Sequence, residues 1–267
     1  REIVTQIRLH HPNILPILGV SSNDTHPLSI ITPLAPNGNA LDYLRVLGPA
    51  ARGPAMLKIV TGISSALSYI HNLTPPVVHG DLHGGNILVG PNSHGFLNDF
   101  GIARIKHEKT RTATHIEAGG HELFLAPELL RVALDKWRTT AASDCYTFSM
   151  TILQLATLQR PFVELDTSWH ADDAAMQGKR PNRPPLEVFN GLNAKTVDFL
   201  WGLLRRMWQH DPTKRPNMRI VHRCMAGWLA NSHKDATSTI GPAIPHDNFV
   251  INGSWIYGEP ERSQLVK

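Results

Sequence analysis

The sequence has only two cysteines in 267 residues, Cys145 and Cys224. That is too few for a disulfide scaffold and fits a reducing compartment, so a cytoplasmic location is expected. No apolar run approaches the about 20 residues that a membrane-spanning helix needs. The opening Arg1-Glu2-Ile3-Val4 is no signal peptide and lacks an initiator Met, as expected of a fragment, a processed product or an incomplete gene model. Net charge is small, 26 Lys plus Arg against 22 Asp plus Glu, and basic clusters reach only pairs such as Arg205-Arg206. Nucleic acid is therefore not an expected partner. Internal repeats and low-complexity tracts are absent.

Fifteen histidines invite a zinc reading. His79 and His83 are four apart, but Gly80, Gly84 and Gly85 place them in a loop. No Glu follows the first His, as a zinc protease motif requires. His79 reads as a packed structural residue and the other histidines as mostly surface.

What is present is ordinary globular chain, 42% hydrophobic and 18% charged. Residues 1–9 read as the end of a helix, broken by His11-Pro12-Asn13. Ile14 to Val20 and Leu28 to Leu34 read as strands, and Pro36-Asn37-Gly38-Asn39 as a turn. Met56, Val60, Ile63, Leu67 and Ile70 fall at spacings of 4, 3, 4 and 3, one apolar stripe of a helix. Turn residues between Val89 and Phe96 predict a hairpin. Cys145, Phe148, Ile152 and Leu155 predict a second helix; Val197, Leu200, Leu204 and Trp208 predict a third. Residues 102–122 read as a polar loop and 231–267 as a tail in which Trp255 and Tyr257 lie among polar neighbours.

The chemistry concentrates in Val77-Val78-His79-Gly80-Asp81-Leu82-His83-Gly84-Gly85-Asn86-Ile87-Leu88, followed by Asp99-Phe100-Gly101. An acid, an amide five residues on and a second acid beyond a hairpin suit phosphoryl transfer. One carboxylate takes or orients the proton of an attacking hydroxyl. The amide oxygen and second carboxylate are hard ligands for Mg²⁺. The glycines allow close approach of backbone to phosphate.

This pattern resembles the catalytic and metal loops of protein kinases, with Gly80 in place of the usual Arg. The resemblance runs in order from residue 1 to about 230. Glu2, before His11-Pro12-Asn13-Ile14-Leu15, is similar to the family's small-lobe glutamate. Ile30 to Gly38 resembles the hinge, with Thr32 as gatekeeper, Pro33, Leu34 and Ala35 facing adenine, Asn39 at the ribose and Leu88 under the base. Leu125 to Leu130 resembles the A-P-E segment. Asp144 resembles the helix acid that supports the catalytic loop. Arg215 resembles the late arginine that pairs with Glu128.

The resemblance implies an α+β, bilobal protein-kinase-like fold. Residues 1–35 are the remnant of a truncated β-rich small lobe, 36–230 the mainly α-helical large lobe, and 231–267 a tail. It implies ATP and Mg as cofactors and a protein substrate. Asp81, Asn86, Asp99 and His83 are the catalytic candidates, with Asn86 and Asp99 on the metal. Pro36-Asn37-Gly38-Asn39-Ala40-Leu41-Asp42-Tyr43-Leu44 and Ala126-Pro127-Glu128-Leu129-Leu130 lean to the tyrosine-kinase-like group, hence to Ser or Thr over Tyr. Oligomeric state stays open.

Departures from the pattern keep two alternatives in view. No Gly-rich loop or strand Lys precedes Glu2, so the chain as written is expected to hold nucleotide poorly and to leave an open sheet edge. Gly80 removes a cation that answers a phosphate on Thr110, Thr112 or Thr114, so activity is expected not to need phosphorylation there. His83 stands where Ser/Thr kinases carry Lys, while His121, Leu123 and Phe124 depart from the usual substrate-docking residues. Gln6 stands where an apolar residue is usual. A pseudokinase binding module is one alternative. The other is a small-molecule phosphotransferase of the aminoglycoside or choline kinase type, which shares His-Gly-Asp-Leu-His but not the segments at 125–130, 143–150 and 211–216.

Overall fold

The computed structural model describes residues 6–21, 29–100, 122–130, 138–165 and 167–236. Glu2, Gly101, Thr110, Thr112, Thr114, His121 and most of the predicted tail lie outside the described residues. Two units are distinguished, Arg1–Asn231 and Ser232–Lys267. The second contributes only the helical residues 232–236 to the description, and the fold and candidate site belong to the first.

The strand content is low. β1 (Gly19–Ser21) and β2 (Ser29–Ile31) pair antiparallel with Gly19 opposite Ile31. The predicted strand from Ile14 shortens to β1 because its N-terminal part is bonded elsewhere. Leu15 donates its amide to the Leu97 carbonyl (2.9 Å), and Ile14 bridges Leu97 in parallel. Leu18, Val20, Ile30 and Ile31 are exposed on this small sheet. Gln6 is buried, and its amide is satisfied by the Leu15 carbonyl at 3.3 Å.

Helices make the rest. α1 (Ala40–Val46) starts at Asn39, whose side chain accepts from the Asp42 amide. α2 (Pro49–His71) carries the predicted stripe: Met56, Val60, Ile63, Leu67 and Ile70 are all buried. Each such side chain contributes about 1.5–3 kcal/mol of transfer free energy. β3 (Ile87–Val89) and β4 (Gly95–Leu97) form the predicted hairpin, with Leu88 opposite Phe96. It lies against α2 so closely that a Cβ on Gly95 would come within 3.1 Å of Ile59 Cγ2.

α3 (Pro127–Leu130) is a short turn. α4 (Ala141–Thr157) opens with a capping box between Thr140 and Ser143 and is buried almost throughout, Cys145, Phe148, Ile152 and Leu155 included. α5 (Ser168–Met176) comes next. α6 (Ala194–Met207) buries Val197, Leu200 and Leu204 and ends at Trp208. α7 (Met218–Ala236) is the last element among the described residues. The core is therefore α2, α4 and α6 with the β3–β4 hairpin, and α4 at its centre is the rigid post for the loop that precedes β3.

Candidate functional site

Asp144, in the first turn of α4, is 1% exposed. Its Oδ2 accepts from the His79 amide (2.8 Å) and from His71 Nε2 (2.8 Å), and its Oδ1 accepts from the Gly80 amide (2.9 Å). A buried carboxylate needs such donors, and three satisfy it here. The loop leading to Asp81 is thereby held to the helix. Gly80 has φ +82°, and a Cβ on it would come within 3.1 Å of Thr139 Cγ2, so a larger residue there is strained.

His79 continues the chain of contacts. Its Nδ1 accepts from the Asp81 amide (3.2 Å), so the ring proton is on Nε2, which donates to the Asn98 carbonyl (2.9 Å). One buried imidazole thus ties the backbone of Asp81 to the residue before Asp99. Phe100 packs on the same ring, centroids 5.0 Å apart. The histidine is structural, as read from sequence, and joins the two acidic segments.

Asn86 ends a short turn, Gly84–Asn86, that leads into β3. Its Nδ2 donates to the Asp81 carbonyl (2.9 Å) and to Asp81 Oδ2 (3.0 Å). Both amide hydrogens are thus committed, and Oδ1 is left as an acceptor. The Asn98 amide donates to the Asn86 carbonyl (3.0 Å), extending the hairpin register by one pair. Asp99 comes directly after, with φ +64°, a conformation Asp tolerates better than most residues. Asp99 Oδ1 is buried with no hydrogen-bond partner among the described residues. A lone buried carboxylate oxygen is costly unless a cation meets it. Two oxygen donors from Asn86 and Asp99 are the set that Mg²⁺ prefers, so the residues fit the ion.

His83 lies beside Asp81, with Nε2 3.8 Å from Asp81 Oδ2. Its Nδ1 accepts from the Gly85 amide (3.1 Å), so the proton faces Asp81. Its ring is 6.3 Å from that of Phe124, which is buried with Leu123.

The run from Thr32 to Asn39 is stitched to β3. The Asn37 amide donates to the Val89 carbonyl (3.2 Å), the Val89 amide to Gly38 (2.8 Å), and Asn39 bridges Leu88. Thr32 and Ala35 are partly buried, while Pro33 and Leu34 are exposed. The side chain of Asn39 is committed locally: besides capping α1 it donates to Asp42 Oδ2 (2.7 Å). A free reach of that side chain toward a ribose would first have to break the cap.

Comparison with known proteins decides the family. The family described as protein tyrosine and serine/threonine kinase matches residues 1–225. The chain belongs to the protein kinase family. It is 32% identical over 221 residues to the tyrosine-protein kinase Abl of Drosophila melanogaster, covering 81% of this chain and 12% of that protein. It is 30% identical over 223 residues to the serine/threonine-protein kinase CTR1 of Arabidopsis thaliana, covering 83% and 25%. Against the human serine/threonine-protein kinase TNNI3K it is 24% identical over 272 residues, 100% of this chain and 30% of that protein. The chain therefore spans well under half the length of these relatives.

The kinase's Glu128–Arg215 pair is bidentate, at 2.6 and 2.7 Å. Three polar side chains that hold the catalytic-loop candidate escaped the sequence reading: Thr151 and Gln154, which bond the loop itself, and His71, which bonds Asp144. Thr151 Oγ1 donates to the Leu82 carbonyl (3.1 Å), and Gln154 Oε1 accepts from the Gly84 amide (3.0 Å). The available signal was that Thr151 and Gln154, seven and ten after Asp144, share its face of the helix. Among the described residues no group of His, Cys, Asp and Glu could form a metal cluster of its own. Nor is any described helix long and apolar enough to cross a membrane.

Proposed function

We propose that this kinase chain carries an ATP- and Mg-dependent activity that phosphorylates Ser or Thr hydroxyls of protein substrates. The observation that carries the reading is the linked set Asp81, Asn86 and Asp99. Asn86 spends both amide hydrogens on Asp81 and so keeps an oxygen free, and Asp99 keeps a buried oxygen without a partner among the described residues. Asn86 Oδ1 and the Asp99 carboxylate would hold Mg²⁺, which when bound neutralises charge on the phosphates. Asp81, oriented by Asn86 and the His79 ring, accepts or orients the proton of the incoming hydroxyl. His83 keeps its Nε2–H on the side of Asp81, 3.8 Å from Oδ2 and beyond hydrogen-bond reach, and offers a hydrogen-bond donor to a phosphate oxygen, not a fixed charge. Thr32 to Ala35, with Leu88, border the nucleotide. The free Cys145 and Cys224 accord with action in the cytoplasm. Residues 1–35, 36–230 and 231–267 are assigned as small-lobe remnant, large lobe and tail.

The test is phosphate transfer from labelled ATP with Mg²⁺ by the full-length protein, offered Ser/Thr peptides, Tyr peptides, an amino-sugar and choline. Asp81→Asn is expected to lower the rate about 10²–10⁴-fold. An unchanged rate would overturn the assignment. A competing reading, binding without catalysis, draws on the altered positions His83 and Gly80. It takes over if the full-length protein binds nucleotide but transfers no phosphate to any acceptor.

A further inference from the structure

The proposed proton acceptor sits on a loop, and a loop keeps a carboxylate in place only if its backbone is held on both sides of it. On the N-terminal side the anchor is Asp144, through the amides of His79 and Gly80. On the C-terminal side the anchors come from the same helix. Thr151 Oγ1 shares its one proton between the Leu82 carbonyl (3.1 Å) and the Thr147 carbonyl of its own helix (2.9 Å). Gln154 Oε1 accepts from the Gly84 amide.

The geometry of α4 explains the match. Asp144, Thr151 and Gln154 lie seven and three residues apart, so they span about 15 Å of helix and fall within one face. The loop from Gly80 to Gly84 advances four residues, about 13 Å when extended. It therefore lies along the helix and touches it at three stations, with Asp81 between the first and the second. Gly84 is pressed against this face: a Cβ there would be 2.9 Å from Gln154 Oε1 and 3.0 Å from Leu155 Cδ2. Thr151 is fully buried, so its hydroxyl has no water to bond instead.

We propose that Thr151 and Gln154 are positioning residues that fix the backbone beyond Asp81 and so hold its carboxylate in register with Asn86. This rests on the phosphoryl-transfer reading of the site. Neither side chain touches reacting atoms; each acts through the loop, and α4 thereby holds both flanks of the acid.

The experiment compares Thr151→Val, Thr151→Ser, Gln154→Leu, Gln154→Glu and Asp81→Asn in the full-length protein. It reads kcat, KM for ATP, and hydrogen exchange at the Gly84 amide. Gln154→Leu removes the acceptor and keeps the bulk. It is expected to lower kcat about 10- to 100-fold, as a loop displaced by about 1 Å does, with KM for ATP unchanged and Gly84 losing protection. Gln154→Glu keeps an acceptor and restores both. Thr151→Val lowers kcat in the same way and Thr151→Ser restores it. A Gln154→Leu variant with full kcat and a protected Gly84 overturns the proposal. So does a Gln154→Glu variant as impaired as Gln154→Leu, which would mark a role in packing. If no variant, wild type included, transfers phosphate, the functional reading fails instead. The Gly84 amide then still decides whether Gln154 holds the loop.

Discussion

Replacing Arg215 with Leu should be among the most damaging single changes in the large lobe. The guanidinium side chain is 0% exposed. It donates to Glu128 Oε1 and Oε2, to the Ala142 carbonyl (2.9 Å), to Gln209 (2.8 Å) and to His210 (3.3 Å), and its Cζ lies 5.1 Å from the Tyr146 ring centroid. Leu fills much of the volume but leaves a carboxylate and three carbonyls facing it unmet. Breaking a buried pair from one side costs about 3–5 kcal/mol; the Glu128 carboxylate is 28% exposed, which favours the lower end, while the three stranded carbonyls add to it. At about 2–4 °C per kcal/mol for a unit of this size, the melting temperature should fall by roughly 6–20 °C. Arg215→Lys keeps the charge but not the fork, and should recover only part of the loss. The assay is thermal and urea unfolding of both variants and of Glu128→Leu/Arg215→Leu. The double variant should be more stable than Arg215→Leu alone, because it removes the stranded carboxylate. A melting temperature within about 2 °C of wild type for Arg215→Leu, less than 1 kcal/mol on the same scale, would refute the reasoning.

Two further outcomes are expected. Burial, with His222 and His94 nearby, lowers the pKa of His11 below its usual 6.5. Its Nδ1 also accepts from the Asn13 amide (3.0 Å) and so must stay unprotonated. The unfolded chain then takes the proton first, and stability contributed by neutral His11 is lost as pH falls below about 6.5; His11→Gln should flatten that dependence in melting curves between pH 7.5 and 5. Gly191 has φ +89°, and a Cβ on it would meet the Pro49 carbonyl oxygen at 1.9 Å. Gly191→Ala should cost about 2–5 kcal/mol in urea unfolding, from left-handed strain and overpacking together, and a loss below 1 kcal/mol would contradict the close approach.

Periodicity alone identified the α2 stripe, the α4 and α6 faces and the hairpin between Val89 and Phe96, because each is a local pattern whose buried side repeats along the chain. Motif spacing singled out Asp81, Asn86 and Asp99 as candidates, since an acid, an amide and an acid at those intervals suit one chemistry. The pairing of Glu128 with Arg215, 87 residues apart, was legible only through family resemblance; nothing local requires it. The shortened first strand was not legible, because Leu15 finds its hydrogen bond on Leu97 in a distant hairpin. The family resemblance points Asn39 toward a ribose, whereas the start of α1 engages its side chain, a competition that spacing does not show. Residue types and intervals along the chain thus determined the family and the acids. The support of the loop by Asp144 was legible through family resemblance, but the atoms that Asp144 and His79 bond, and the further anchors Thr151 and Gln154, were decided only by tertiary structure. Hydrogen bonds across 19 to 70 residues depend on how α4 and the loop are brought side by side, and no local pattern of side chains encodes that approach.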